Sequence, residues 1–243
     1  MKNTYSYHAL MKRSLLIILF FVLWCIPSHS QQKEITIVTF GNSTTARRKG
    51  VTKVYAQSVH EKLDSLGIPN DVINAGVGSS HTGSIKDNDF AKVVHAMDRF
   101  DTSVLRHRPD WVTLNFGLND AYQDKGIGAS SRIPVKNFRK NIRYYIKKIR
   151  KQGGKIILLT PNPLGSKYEP FRHERLKLYA DAIRKISKCK RTYLIDSWEL
   201  FYDWEKGKPT NIDGLFTDGI HPNDEGHRLI AEKIVEIISK NYR

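Results

Sequence analysis

Glu34-Ile35-Thr36-Ile37-Val38-Thr39-Phe40-Gly41-Asn42-Ser43 is the stretch that decides the fold. From Ile35 to Phe40 every side chain is apolar or β-branched, and the run is too short for a helix. It therefore predicts a short buried strand, ended by Gly41, with a serine directly beyond it. Runs of the same kind recur at 71–74, 111–116, 155–160 and 192–196. Between them, apolar residues fall at helical spacing. Val51, Val54, Tyr55, Val59 and Leu63 predict a helix over 51–66, stopped by Gly67 and Pro69. Val93, Val94, Met97 and Leu105 predict one over 90–106. Phe138, Ile142, Tyr145, Ile146 and Ile149 line one face of a basic helix over 134–152, whose Lys and Arg residues are most simply a solvated outer face, with substrate steering the lesser alternative. A further helix is predicted over 171–188. The last begins near Asp224 and turns Leu229, Ile230, Ile234, Ile237 and Ile238 inward.

Short apolar strands alternating with helices imply an α/β fold, a parallel sheet with helices on both faces. Ligands of such sheets bind beyond the carboxyl ends of the strands. Gly41-Asn42-Ser43, the glycine-rich Gly76 to Ser80, and Gly117-Leu118-Asn119-Asp120 follow the first three strands, so all three loops fall on one edge. Phe216-Thr217-Asp218-Gly219-Ile220-His221-Pro222-Asn223 precedes the last helix and can fold over the same edge.

The chain has 243 residues, 40% of them hydrophobic and 26% charged, which fits one globular domain. Its beginning differs from the rest. Lys12 and Arg13 precede the apolar run from Leu15 to Trp24, and Pro27 with Ser28-His29-Ser30 follows. This order predicts a secretory signal peptide over 1–30, with Met11 an alternative start, and a domain over 31–243. The apolar run is short of the ~20 residues a spanning helix needs, so no stable membrane insertion is expected after cleavage. Cys25 is a lipoprotein candidate, although Trp24 before it is bulkier than such processing sites prefer. The expected location is secreted or periplasmic. Cleavage takes three cations and no carboxylate from the formal +16, leaving +13. That charge favours polyanions, and export argues against nucleic acid. Cys189 is then the one cysteine, so no intramolecular disulfide is expected, and no Cys/His cluster has zinc spacing.

The edge loops carry the chemistry. A serine hydroxyl needs a base within hydrogen-bond reach to act as a nucleophile. His221 can be that base for Ser43, and Asp218, three residues before it, can orient the ring. Taken alone, Asp-x-x-His is most simply a surface turn, and Ser43 or Thr44 a helix cap. Acyl transfer also needs donors for a tetrahedral oxyanion. The Asn119 amide and the Gly78-Ser79 backbone offer them, although Asn119-Asp120 also suits a turn. The four motifs acquire weight by meeting on one edge.

On these residues the chain resembles the SGNH (GDSL-type) hydrolase superfamily over residues 35–240. Gly41-Asn42-Ser43 stands for its Gly-Asp-Ser block, Gly117-Leu118-Asn119-Asp120 for its third block, and Asp218-Gly219-Ile220-His221-Pro222 for its fifth. The resemblance implies a flavodoxin-like three-layer sandwich with a five-stranded parallel sheet in the order 2-1-3-4-5. It implies Ser43, His221 and Asp218 as the catalytic residues, with Asn119 in the oxyanion hole and no metal or cofactor. Two positions depart from the pattern. Asn42 replaces an aspartate, and Ser79 falls at the oxyanion glycine with Gly78 one before it, so either N–H is a candidate donor.

The implied activity is a serine esterase. Export and the aromatics Tyr122, Tyr168, Trp198, Tyr202 and Trp204 point to O-deacetylation of a polysaccharide, although ordinary packing also accounts for such residues. The 203–213 stretch is a candidate pocket-shaping loop. A lipid or aryl esterase would use the same triad, and the basic charge suggests a rival from another class, a non-catalytic binder of acidic polysaccharide.

Overall fold

The computed structural model describes residues 32–242; the predicted signal peptide lies outside them. Five strands, β1 (Ile35–Gly41), β2 (Asn70–Gly76), β3 (Trp111–Asn115), β4 (Lys155–Leu159) and β5 (Tyr193–Ile195), form one sheet in the order β2-β1-β3-β4-β5. Every neighbouring pair is parallel. The expected class and strand order are both found. The helices are α1 (Tyr55–Ser65), α2 (Ala96–Ser103), α3 (Leu118–Ala121), α4 (Val135–Lys151), α5 (Pro170–Lys190), α6 (Ser197–Glu205) and α7 (Asp224–Lys240).

Strand side chains alternate between two apolar layers, as the pleat requires. Val38, Phe40, Val112, Leu114, Ile156 and Leu158 share one cluster with α2, α4 and α5 residues such as Phe100, Ile142 and Ile183. Ile35, Ile37, Trp111, Ile157 and Leu159 share the other with Val59 and Leu63 of α1 and Ile230, Ile234 and Ile238 of α7. The three central strands, β1, β3 and β4, are dry on both faces, which is why they read as apolar runs, while the edge strands β2 and β5 are partly exposed. Register places the strand ends level: Gly41 pairs with Gly76 and with Asn115, and Asn115 with Leu159. The loops that follow thus leave one edge together.

Four elements differ from the expectation. The helix predicted over 90–106 is confined to Ala96–Ser103 and a 3₁₀ turn at Leu105–His107. His95 is buried face to face on His81, with ring centroids 3.5 Å apart, and Asp98 accepts the His95 and Ile85 N–H groups. Those contacts hold 81–95 as a folded-back loop. Helix α1 starts at Tyr55 because the Asp224 carboxylate takes the Thr52 and Lys53 N–H groups, at 2.8 and 2.9 Å. Helix α6 was not anticipated; Asp196 caps it by accepting the Glu199 N–H at 3.3 Å. Helix α3 is a single turn held by its own loop.

Candidate active site

The turn after β1 is built around Asn42. Its side-chain oxygen accepts from the Thr44 N–H at 2.9 Å and the Thr44 hydroxyl at 2.8 Å, while its carbonyl accepts from Thr45 and Ala46 N–H groups, both at 3.0 Å. An amide oxygen is enough for these bonds, so Asn42 caps the turn without an aspartate. Its buried Nδ2 has no partner among the described residues. Gly41 is required for close approach: a Cβ there would lie 2.0 Å from Thr45 Oγ1 and 2.8 Å from the Asn115 carbonyl. Beneath both strand ends sits the buried Arg99, donating to the Ala75 carbonyl at 2.7 Å and the Gly41 carbonyl at 2.8 Å. Its guanidinium lies 4.4 Å over the Phe40 ring, and burial lowers its pKa to about 10.

The segment before α7 is a tight turn. Asp218 Oδ1 accepts the N–H groups of Ile220 and His221 at 3.1 and 2.9 Å. Gly219 has φ +79°, and a Cβ on it would meet Lys167 Cε at 2.9 Å. Its carbonyl accepts the Gly165 N–H at 2.7 Å, which ties this turn to the loop after β4. Within the turn, His221 Nδ1 lies 2.7 Å from Asp218 Oδ2. His221 Nε2 lies 2.9 Å from Ser43 Oγ, bringing together residues 178 apart in sequence. A carboxylate on Nδ1 places the ring proton there and leaves Nε2 to accept the serine proton. Arg48, which sequence reasoning did not single out, donates from Nη2 to Asp218 Oδ2 at 3.1 Å.

The loop after β2 reaches the same place. Gly78 and Ser79 border the cavity that Ser43 opens onto, and Ser79 has the left-handed φ of +60°. The N–H groups of both residues have no acceptor among the described residues. Asn119, on α3, lines the same cavity and donates from Nδ2 to the Ser80 carbonyl at 3.2 Å. An amide NH2 carries two hydrogens, so one remains for a ligand. Next to it the wholly buried Asp120 accepts from the Thr82 N–H at 2.9 Å, the Thr82 hydroxyl at 2.5 Å and the Gly117 N–H at 3.1 Å. Burial pushes this carboxyl up while those donors oppose the shift. Asp120 thereby fixes the β2 and β3 loops to each other.

The cavity measures about 290 Å³; Leu118, Ala121, Leu164, Leu176 and Ile220 give it an aliphatic wall, and Gln123 also borders it. Tyr122 and Tyr168 also line it, with Arg132 and Arg172 beside Tyr122 at 4.7 and 4.8 Å from its ring. Both arginines are ion-paired, to Asp124 and Glu169. The other three aromatics are elsewhere. Trp198 is buried in a core layer, Tyr202 packs beside it, and Trp204 donates to Glu225 at 3.2 Å. No residue of 203–213 borders the cavity. Asp213 acts indirectly, through its contacts to Ser166 in the cavity-side loop. The aliphatic lining comes from four separate segments, and nothing in their local sequence marks them as neighbours.

Residues 39–229 match the GDSL-like Lipase/Acylhydrolase family. Among sequence relatives, the uncharacterized lipoprotein YqeF of Bacillus subtilis is 28% identical over 90% of this chain and 95% of its own length. An arylesterase of Vibrio mimicus is 23% identical over 95% of this chain and its full length. Among solved structures, the lipase/acylhydrolase from Enterococcus faecalis superposes with a TM-score of 0.69 at 27% identity, covering 86% of this chain and 97% of that one. The acetylxylan esterase Axe2 of Geobacillus stearothermophilus has the same fold, with a TM-score of 0.67 at 19% identity over 84% and 94% of the two chains.

Proposed function

The chain belongs to the GDSL-like lipase/acylhydrolase family and hydrolyses ester bonds, and from that premise we propose a serine mechanism on an ester whose apolar group occupies the aliphatic cavity. One observation carries the reading: the Ser43–His221–Asp218 chain, with contacts of 2.9 and 2.7 Å, opens onto that cavity. Ser43 Oγ attacks the ester carbonyl carbon as His221 Nε2 takes its proton. The C–O bond to the alcohol then breaks, and His221 returns the proton to the leaving oxygen. Water adds to the acyl-serine by the same base, releasing acid and free Ser43. Asn119 Nδ2 and the N–H groups of Gly78 and Ser79 are the donors for the oxyanion. A hydrolase with this reaction leaves no role for the non-catalytic polymer binder.

An acetyl group alone would fill little of about 290 Å³, and the wall formed by Leu118, Ala121, Leu164, Leu176 and Ile220 suits an apolar group. Both points support a short- to medium-chain acyl or aryl ester. Tyr122 and Tyr168 at the cavity favour a second reading, deacetylation of a polysaccharide, with the rings as platforms for the sugar. Turnover of p-nitrophenyl esters from acetate to dodecanoate separates them. The first reading expects kcat/KM to rise from acetate to butyrate or hexanoate. A maximum at acetate, with acetate released from acetylated xylan, would establish the second. Ser43→Ala and His221→Ala should each lower kcat by at least ~10³-fold with the fold retained; substantial activity in either would overturn the triad. Export as a secreted or periplasmic protein completes the proposal, supported by the basic and apolar order of residues 12–24. The amino terminus of the protein isolated from its host is the test of cleavage near Ser30.

A further inference from the structure

Asp218 Oδ2 is shared. It accepts from His221 Nδ1 at 2.7 Å and from Arg48 Nη2 at 3.1 Å, so a permanent cation and the catalytic imidazole meet at one carboxylate oxygen. We infer that Arg48 is a positioning residue that sets the basicity of His221 through Asp218, an inference that rests on the triad reading above.

Three features of the contact support this. Asp218 is the one carboxylate within ion-pair distance of Arg48 among the described residues, so the guanidinium is not dividing its charge between partners. The Asp218 side chain is 39% exposed, and Arg48, itself 26% exposed, lies against its outer oxygen. The opposite oxygen is fixed by the Ile220 and His221 N–H groups, so the carboxylate is held from both ends. Arg48 follows closely on the turn that presents Ser43, and its buried Nε has no hydrogen-bond partner among the described residues. The Arg48–Asp218 contact thus joins the nucleophile loop to the loop of the base.

The electrostatic consequence has a definite sign. When Ser43 gives up its proton, His221 becomes an imidazolium stabilised by Asp218. Arg48 already neutralises part of that carboxylate, so the imidazolium gains less and the ring stays a weaker base, active to lower pH. Other groups around the pair do not reproduce this: Arg132 and Arg172, which border the same cavity as His221, are paired with Asp124 and Glu169. Lys167 packs by its stem at Gly219 while its ammonium lies over the Tyr168 ring, 5.4 Å from the centroid. The Tyr168 hydroxyl reaches the Asp218 main-chain carbonyl at 3.5 Å. Asp224 is committed to the Thr52 and Lys53 N–H groups, and His227 is buried and neutral.

The test compares the wild-type enzyme with Arg48→Gln and Arg48→Lys. Two readouts are taken: the acid limb of the kcat/KM profile on a p-nitrophenyl ester, and direct NMR titration of the His221 imidazole. Guanidinium and imidazole are within about 6 Å through the shared oxygen, so removing the charge should move both midpoints up by about 0.5 to 1 pH unit. Arg48→Lys should restore most of the shift, since the ammonium supplies the same charge beside Asp218. Should Arg48→Gln fail to fold, Arg48→Met keeps the stem and reads the same midpoints. Midpoints that stay in place, or move down, would overturn the inference, leaving Arg48 a packing or orienting group only. The NMR midpoint does not depend on turnover, whereas the triad reading fails only through the activity of Ser43→Ala and His221→Ala.

Discussion

His227 should make the protein lose stability as the solution becomes mildly acidic. The ring is buried between α7 and α1, and its Nδ1 accepts the Tyr55 N–H at 3.2 Å. The lone pair on Nδ1 therefore belongs to the native structure, and a proton there would oppose an N–H donor. Burial, reinforced by Arg48 and opposed by Asp224, lowers its pKa from 6.5 to about 4. Because the folded value lies below the unfolded one, the unfolded chain binds the proton first as pH falls. Stability is complete above about pH 6.5 and declines until the folded ring titrates near 4. Between pH 7.5 and 5 the loss is about 2 kcal/mol for this one group. Against a total of ~5–15 kcal/mol that is a large fraction. Urea denaturation at pH 7.5, 6.5, 5.5 and 5.0 measures it, with His227→Asn as the reference. An asparagine can place an oxygen where Nδ1 accepts, but it does not titrate. The variant will be less stable at neutral pH because it loses ring packing. The gap to wild type should then narrow by about 2 kcal/mol by pH 5. A gap constant within ~0.5 kcal/mol over this range would refute the reasoning, since experimental scatter in such series is of that size.

Two further changes probe the oxyanion loops. Ser79→Gly should raise stability by about 1 kcal/mol, because a left-handed φ of +60° strains any residue with a Cβ, and it should leave kcat/KM within about twofold. A fall of more than tenfold would mean that the serine side chain, not its N–H, is used. Asn119→Ala should lower kcat by about 10²–10³-fold with little change in KM, the signature of a donor used mainly in the transition state. An effect confined to KM would reassign Asn119 to ground-state binding.

How much could be read in advance depended on whether the information was local. The central strands were legible because burial on both faces leaves near-continuous apolar runs such as Ile35 to Phe40. The Asp218–His221 contact was legible because the two residues share one turn, and Ser43 because sheet register brings its loop to that edge. The folded-back loop at 81–95 was not, because His81 and His95 stack across 14 residues and override the helical spacing of Val93, Val94 and Met97. Of the five candidate platform aromatics, Tyr122 and Tyr168 reach the cavity, whereas Trp198, Tyr202 and Trp204 do not. Trp198 and Trp204 sit on α6, whose Asp196 cap turns the segment into a packed helix instead of a loop. Arg48 lay within Arg47-Arg48-Lys49, a cluster indistinguishable in sequence from a solvated surface. Only the closing of Asp218 over the nucleophile turn gives it a partner.

The same distinction explains how a serine can stand where the related pattern has a glycine. A non-glycine residue keeps a left-handed conformation only where its surroundings over-determine the backbone. Here the chain is anchored on both sides of Gly78-Ser79. Before them, Arg99 holds the Ala75 carbonyl, and after them Asn119 holds the Ser80 carbonyl. Thr82 is fixed by Asp120 through its N–H and hydroxyl, and its carbonyl accepts the Tyr145 hydroxyl at 2.5 Å. These anchors lie on α2, α3 and α4, all of them buried except Asn119 at the cavity wall, so the loop's shape is imposed by three helices and not by its own residues. About 1 kcal/mol of strain at Ser79 is small beside several buried hydrogen bonds at ~1 kcal/mol each, more where a charge is involved. The donor geometry should therefore resist substitution at Ser79 itself and fail when the anchors are cut.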